Sequence, residues 1–139
     1  MSYKIFLDTN ILIYAYDIDA GNKHQISNEI VKELWESNKG VLSTQVLQEF
    51  YVNITKKIIK PITPNEARNI IKTYLSWEIV VISPIFVISA SEISERNCIS
   101  FWDAMIIKSA KEAGVDRVLT EDLNSGQIIE GILIENPFF

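Results

Sequence analysis

The chain holds one cysteine, Cys98, and one histidine, His24, in 139 residues. A single cysteine excludes an internal disulfide and suits a reducing compartment. A single imidazole excludes multi-histidine zinc sites and any mechanism that needs paired imidazoles. Long apolar runs are missing too. The longest, Ile11 to Tyr16, falls far short of the roughly 20 residues of a membrane span. The apolar stretch after Lys4 is cut at once by Asp8, so no signal peptide is expected. Basic excess is absent: the net charge is −5 and the pI about 4.9, which argues against coating nucleic acid by bulk electrostatics. No composition shift, repeat, Gly/Ser linker or low-complexity tract divides the sequence, so residues 1–139 read as one domain. With 47% hydrophobic residues, a chain this long buries roughly two-thirds of its unfolded surface and needs no staple. The expectation is a small cytoplasmic domain, not a membrane protein, whose chemistry comes from carboxylates.

Strands and helices alternate in the pattern. Tyr3 to Leu7 is β-rich and unalternating, as a strand covered on both faces would be. Helices are expected over about 10–17, 22–37 and 45–59, with a short strand at 41–43. Thr63-Pro64-Asn65-Glu66 joins an N-cap, a proline at N1 and a capping-box glutamate, so a helix begins there. A third strand is expected at 78–82, a helix opened by Ser83-Pro84 runs to about 97, and another runs from Ser100 to Gly114. The last strands are 117–120 and 132–135. This alternation predicts an α/β fold with a central parallel sheet between helices, and functional groups at the strands' carboxyl ends.

Four acids fall at that end. Asp8 follows the first strand directly, although an N-cap role explains it equally well. Asp122 follows a later strand and reads alternatively as a turn residue. Asp103 lies roughly 20° from Ala110 and 40° to 60° from Ile106 and Ile107 on the helical wheel, so an ionisable group points along an apolar face. A capping box, Ser100-x-x-Asp103, is the competing explanation, and both can hold. Glu49 sits roughly 60° outside the stripe of Val46, Leu47, Phe50, Ile54 and Ile58. A solvated glutamate is the commoner explanation there, but strand two ends nearby. Acids brought together share protons or hold a cation, and hard oxygen ligands without histidine or cysteine suit Mg²⁺ or Mn²⁺.

These segments resemble a PIN domain, and within it the VapC-type ribonuclease toxins of toxin–antitoxin pairs. Phe6-Leu7-Asp8-Thr9-Asn10-Ile11-Leu12 is similar to the family's opening strand and first acid. Leu42 to Phe50 is similar to the segment with the second, Phe101-Trp102-Asp103-Ala104-Met105-Ile106 to the third, and Leu119-Thr120-Glu121-Asp122-Leu123 to the fourth. Gly126-Gln127 through Gly131 to Asn136-Pro137-Phe138 resembles a common ending of this subgroup. The resemblance implies a three-layer α/β/α sandwich, generally dimeric, that cuts single-stranded or loop RNA with Mg²⁺ or Mn²⁺ to leave a 5′-phosphate and a 3′-hydroxyl. It implies that Asp8, Glu49, Asp103 and Asp122 form the catalytic metal pocket, with Asp8 and Asp103 as direct ligands and Glu121 as the nearest substitute for Asp122. It implies hydrogen-bonding roles for Asn10 and Thr120 around that pocket, and an antitoxin whose tail covers the site.

Positive charge for RNA must be local. Lys56, Lys57 and Lys60, with Arg68 and Lys72 beyond, form the densest basic stretch, although a solvated helix end explains it too; Lys108 with Lys111 is the fallback. Trp35, Trp77 and Trp102 are expected in the core or an interface rather than as base-stacking platforms, His24 on a helix surface and Cys98 buried. Phe138-Phe139 is expected either to add apolar surface or to pack on the sheet. A receiver domain fails because strand three ends in Ser83-Pro84, and a dehalogenase-type phosphatase fails because Asp8-Thr9-Asn10 lacks the second aspartate. The rival reading is a catalytically inactive PIN-fold RNA-binding or assembly module.

Overall fold

The structure is a computed structural model, and it describes residues 3–139. Strand β1 (Ile5–Leu7) leads into α1 (Thr9–Tyr16), a 3₁₀ turn at Ile18–Ala20 and α2 (Asn22–Ser37). Then come β2 (Gly40–Ser43), α3 (Thr44–Lys56), α4 (Pro64–Tyr74), β3 (Glu78–Val80), α5 (Pro84–Asn97) and α6 (Phe101–Ala113). The chain closes with β4 (Arg117–Leu119), β5 (Ile128–Ile129) and β6 (Ile132–Glu135). The sheet order is β3-β2-β1-β4-β6-β5, parallel except for β5. Helix α1 packs on α2 and α3, and α3 on α4; α5 packs on α6, which lies across β2, β3, β4 and β6. This is the three-layer α/β/α sandwich expected from the sequence, with one antiparallel edge strand added.

Local chemistry explains where the helices begin. The Thr63 hydroxyl accepts from the Glu66 N–H at 3.2 Å, with Pro64 at the first turn. Ser43 and Ser100 cap α3 and α6 in the same way, each satisfying an otherwise orphaned N–H. Ser83 makes no side-chain cap bond, so at α5 the proline alone marks the start. Gly114 ends α6 at φ 67°, the left-handed position that glycine reaches without strain.

Several boundaries differ from the expectation. Strands one, three and four are shorter than predicted, and α3 stops at Lys56 rather than Ile59. Ile58 therefore lies beyond the helix and, like Leu47, is only half-buried, whereas Val46, Phe50 and Ile54 are fully buried. The β5–β6 hairpin was not expected, because two residues carry no readable periodicity. Its turn places Glu130 at φ 52° and Gly131 at φ 80°, both in the left-handed region that a tight hairpin turn requires. The Glu130 carboxylate offsets that strain by accepting from Arg96, Asn97 and Lys111. Arg96 first, then Asn97, holds this carboxyl well below the usual range. Cys98 is exposed, not buried. It ends α5 in a left-handed conformation, φ 54°, and so turns out of the helix's packed face.

The core is a stack of rows. Register sets Phe6 beside Val41 and Val118, and Val118 beside Ile134, all of them buried. Trp35, Tyr74 and Trp77 form a mutual cluster with centroids 4.9–5.2 Å apart. Gly40 is required beneath it: a Cβ there would overlap the Trp77 ring. We predict that Gly40→Ala costs about 1–3 kcal/mol and lowers the calorimetric melting temperature by several degrees. An unchanged melting temperature would mean that the indole moves aside freely.

Candidate metal centre

The strand order explains why acids from distant segments meet. From β1 the chain steps outward through β2 to β3, then returns to place β4 on the other side of β1. The crevice of such a sheet opens where the order reverses, at the carboxyl ends. Asp8 leaves β1 there, and Thr120, Glu121 and Asp122 leave β4 beside it. Backbone pairing continues one step beyond the strands, from the Asp8 N–H to the Leu119 carbonyl at 3.0 Å and from the Thr120 N–H to the Glu135 carbonyl. The first acid is thus anchored in the sheet.

Carboxylate oxygens of Asp8, Asp103 and Asp122 lie within 4.8 Å of one another. Asp8 is 6% exposed and is held on both oxygens: Oδ1 accepts from the Thr9 N–H at 2.7 Å and Oδ2 from the Thr120 hydroxyl at 2.7 Å. It therefore caps α1 and faces the cleft at once. Asp103 shows the same double use. Its N–H donates to Ser100 Oγ at 3.0 Å, while its carboxylate joins the cluster. Asp122 stands at the exposed rim; its N–H donates to Thr120 Oγ1 and its Oδ2 accepts from Asn10 Nδ2, both at 3.0 Å.

Glu49 lines the same cleft but is not one of the three converging acids. It accepts from the Thr9 hydroxyl at 2.6 Å, a partner that the sequence reading missed although Thr9 lies between Asp8 and Asn10. Glu121 points elsewhere, taken by the Tyr14 hydroxyl and by Lys23 Nζ at 2.8 Å. Asp122 is thus the acid on this loop that faces the cleft.

The cleft holds about 520 Å³. Lys57 lines it; Lys56 and Lys60 are exposed nearby in sequence but do not line it. Lys108 pairs with Glu112 and Lys111 with Glu130, which engages the fallback basic pair within the fold. Trp77 is buried and Trp35 packs on it, as expected; Trp102 instead is 63% exposed and lines the cleft. His24 Nδ1 meets the Tyr14 carbonyl at 2.8 Å.

Burial pushes the Asp8 carboxyl up to about 7, against the lowering effect of Thr120 and Thr9 and with further raising by Asp122 and Asp103. Asp122 is also raised, by burial first and then by Asp103 and Glu121. An ionised Asp8 thus costs roughly 4 kcal/mol relative to the unfolded chain, a penalty that a bound cation would offset. The donor set fits a hard divalent ion: all oxygens, with the buried Asn10 Oδ1 left without a partner beside them.

A sequence model of the PIN domain matches residues 5–128. Among solved structures, a toxin–antitoxin complex from Klebsiella pneumoniae is similar at 17% identity and TM-score 0.69, over 96% of this chain and 98% of that one. Mycobacterium tuberculosis VapC20, described as a sarcin–ricin loop cleaving toxin, is similar at 18% identity and TM-score 0.63, over 83% and 87%. DNA-bound VapBC from Salmonella typhimurium is similar at 20% identity and TM-score 0.64, over 98% and 99%. At these identities the likeness shows a shared fold. No curated protein sequence matches.

The raised Asp8 carboxyl predicts a specific pH dependence. Between about 4 and 7 the folded state holds a proton that the unfolded state has lost, so stability falls as pH rises through that window. In chelator, the advantage in melting temperature of Asp8→Asn over the natural chain is expected to grow from pH 4 to pH 7 and then level. A difference constant with pH would contradict the assignment.

Proposed function

The chain belongs to the PIN domain family, and from that premise we propose that it is a metal-dependent endoribonuclease, the toxin of a toxin–antitoxin pair. The observation that carries this reading is the convergence of Asp8, Asp103 and Asp122 oxygens within 4.8 Å at the sheet's switch point. Those three residues would hold a Mg²⁺ or Mn²⁺ ion. When bound, the ion would neutralise the carboxylates, polarise a phosphoryl oxygen and acidify a nearby water for hydrolysis.

The chain's own residues do the rest. The Thr120 hydroxyl donates to Asp8 and so aims its free lone pairs into the cleft. Asn10 does the same for Asp122, and such outer contacts set ligand orientation. Glu49, steadied by the Thr9 hydroxyl, is the acid beside the three ligands and accepts a proton from the attacking water. Lys57 supplies positive charge at the cleft wall, and Lys56 at the end of α3 and Lys60 in the segment beyond it extend that charge.

The partners proposed are RNA, an antitoxin protein and a second copy of the chain. The likeness to toxin–antitoxin complexes supports an antitoxin. Val81, Ile85 and Ile88 are largely exposed around the start of α5, an apolar surface of the kind that interfaces cover. No helix among the described residues is long and apolar enough to cross a membrane; the location proposed for the pair is the cytoplasm.

A mixed RNA pool incubated with the protein tests the reaction. Cleavage is expected in Mg²⁺ or Mn²⁺ and none in excess EDTA. Asp103→Asn should abolish it by more than roughly a hundredfold, while Thr120→Val should cost roughly ten- to a hundredfold, the range for outer contacts. Asn keeps the N–H that Ser100 caps, so circular dichroism should be unchanged. Cleavage undiminished in EDTA would overturn the metal mechanism. RNA that is bound but never cut in either metal would identify the inactive binding module instead.

A further inference from the structure

Trp102 is the residue that the fold leaves unexplained. Its indole is 63% exposed, touching Phe101 edge-on at a centroid distance of 5.1 Å. A tryptophan left this open beside a cleft presents a large amphipathic ring to solvent, and such surfaces mark binding sites. Its position sharpens the point. Trp102 precedes Asp103 in the first turn of α6 and lines the same cleft as Asp8, Asp122 and Lys57.

A second, independent observation lies in the same wall. Gln45 is 6% exposed and lines the cleft, and its Oε1 is buried with no hydrogen-bond partner. A buried amide without a partner costs about 1–3 kcal/mol unless a ligand supplies the missing group. An exposed aromatic face, an unpaired amide and a cation beside a cluster suited to a phosphate-bound metal match the parts of one nucleotide. The indole takes a base, the amide takes a base edge or a ribose hydroxyl, and Lys57 takes a phosphate.

We infer that Trp102 and Gln45 form a nucleobase subsite that holds one unstacked base of the RNA next to the phosphate at the acidic cluster. This deepens the ribonuclease reading and rests on it. Duplex RNA has no free base face to offer the indole, so the subsite suits only the single-stranded or looped RNA that the family resemblance already implies.

Binding tests the subsite without requiring cleavage. The probe is a mixed-sequence, ten-nucleotide single-stranded RNA, compared with an abasic oligomer of the same length. Ca²⁺ replaces Mg²⁺ as an oxygen-seeking ion, and affinity is read with tryptophan fluorescence. The natural chain should bind the RNA with quenching and bind the abasic oligomer more weakly. Trp102→Ala should lose the quenching and weaken RNA binding by roughly ten- to a hundredfold, with no further loss on the abasic oligomer. Trp102→Phe, which keeps a stacking face, should retain most of the affinity, and Gln45→Leu should even out binding among homopolymers. RNA affinity unchanged in Trp102→Ala overturns the subsite, and the exposed indole then belongs to a protein contact. Equal binding of intact and abasic oligomers by the natural chain overturns it as well, even where a variant fails to fold. Cleavage in Mg²⁺ with an unaltered Trp102→Ala sinks only the subsite; base-dependent binding without cleavage sinks only the hydrolytic reading.

Discussion

Burying a carboxylate away from water is costly, and the end of this sheet is built around the burial of Asp8, to which Asp122 and Asp103, with oxygens within 4.8 Å, add like charge. Asp8 carries the largest penalty because it is the most buried of the three. The fold answers with two donors, the Thr9 N–H and the Thr120 hydroxyl, and these do not suffice, since the carboxyl still stays near 7. Protons or a divalent cation must supply the remainder. The same arrangement that costs stability without metal is the one that would bind it.

The charges around the cluster are sorted rather than spread. Glu121 and Asp122 are adjacent in sequence, yet Lys23 and Tyr14 take the first and Asn10 takes the second. That division ties the loop after β4 to α1 and α2, and leaves one acid facing the cleft. Lys23 also lies over the rings of Tyr14 and Phe138, with Phe138 edge-on to Tyr14. The penultimate residue therefore packs on the fold, whereas Phe139 is fully exposed. An acidic molecule built this way would meet RNA through local positive charge such as Lys57 and through a neutralised pocket.

Much of this was legible in the sequence because each signal had a local physical cause. Thr63-Pro64 and Ser100 cap helices whatever surrounds them, and Asp8 lands at the strand end because the apolar run stops there. The convergence of Asp8, Asp103 and Asp122 follows from topology, which the alternation of strands and helices constrains. Other features depend on tertiary contacts that no local pattern carries. The β5–β6 hairpin rests on Glu130 reaching Arg96, Asn97 and Lys111. Cys98 looked buried by residue type and is exposed by its backbone angle. By type Trp102 reads as a core or interface residue, while its place beside Asp103 is the available signal for the cleft. Glu49 lines the same cleft as the aspartates, and its bond from the Thr9 hydroxyl is likewise a contact between distant segments.

On the proposed reading the three aspartates, and not the acidic surface at large, would hold the ion. Anomalous diffraction from crystals soaked in Mn²⁺ tests it most directly. The account predicts a peak in contact with carboxylate oxygens of Asp8, Asp103 and Asp122, lost in Asp8→Asn crystals. Strong peaks only at surface carboxylates, with none between these three, would contradict it.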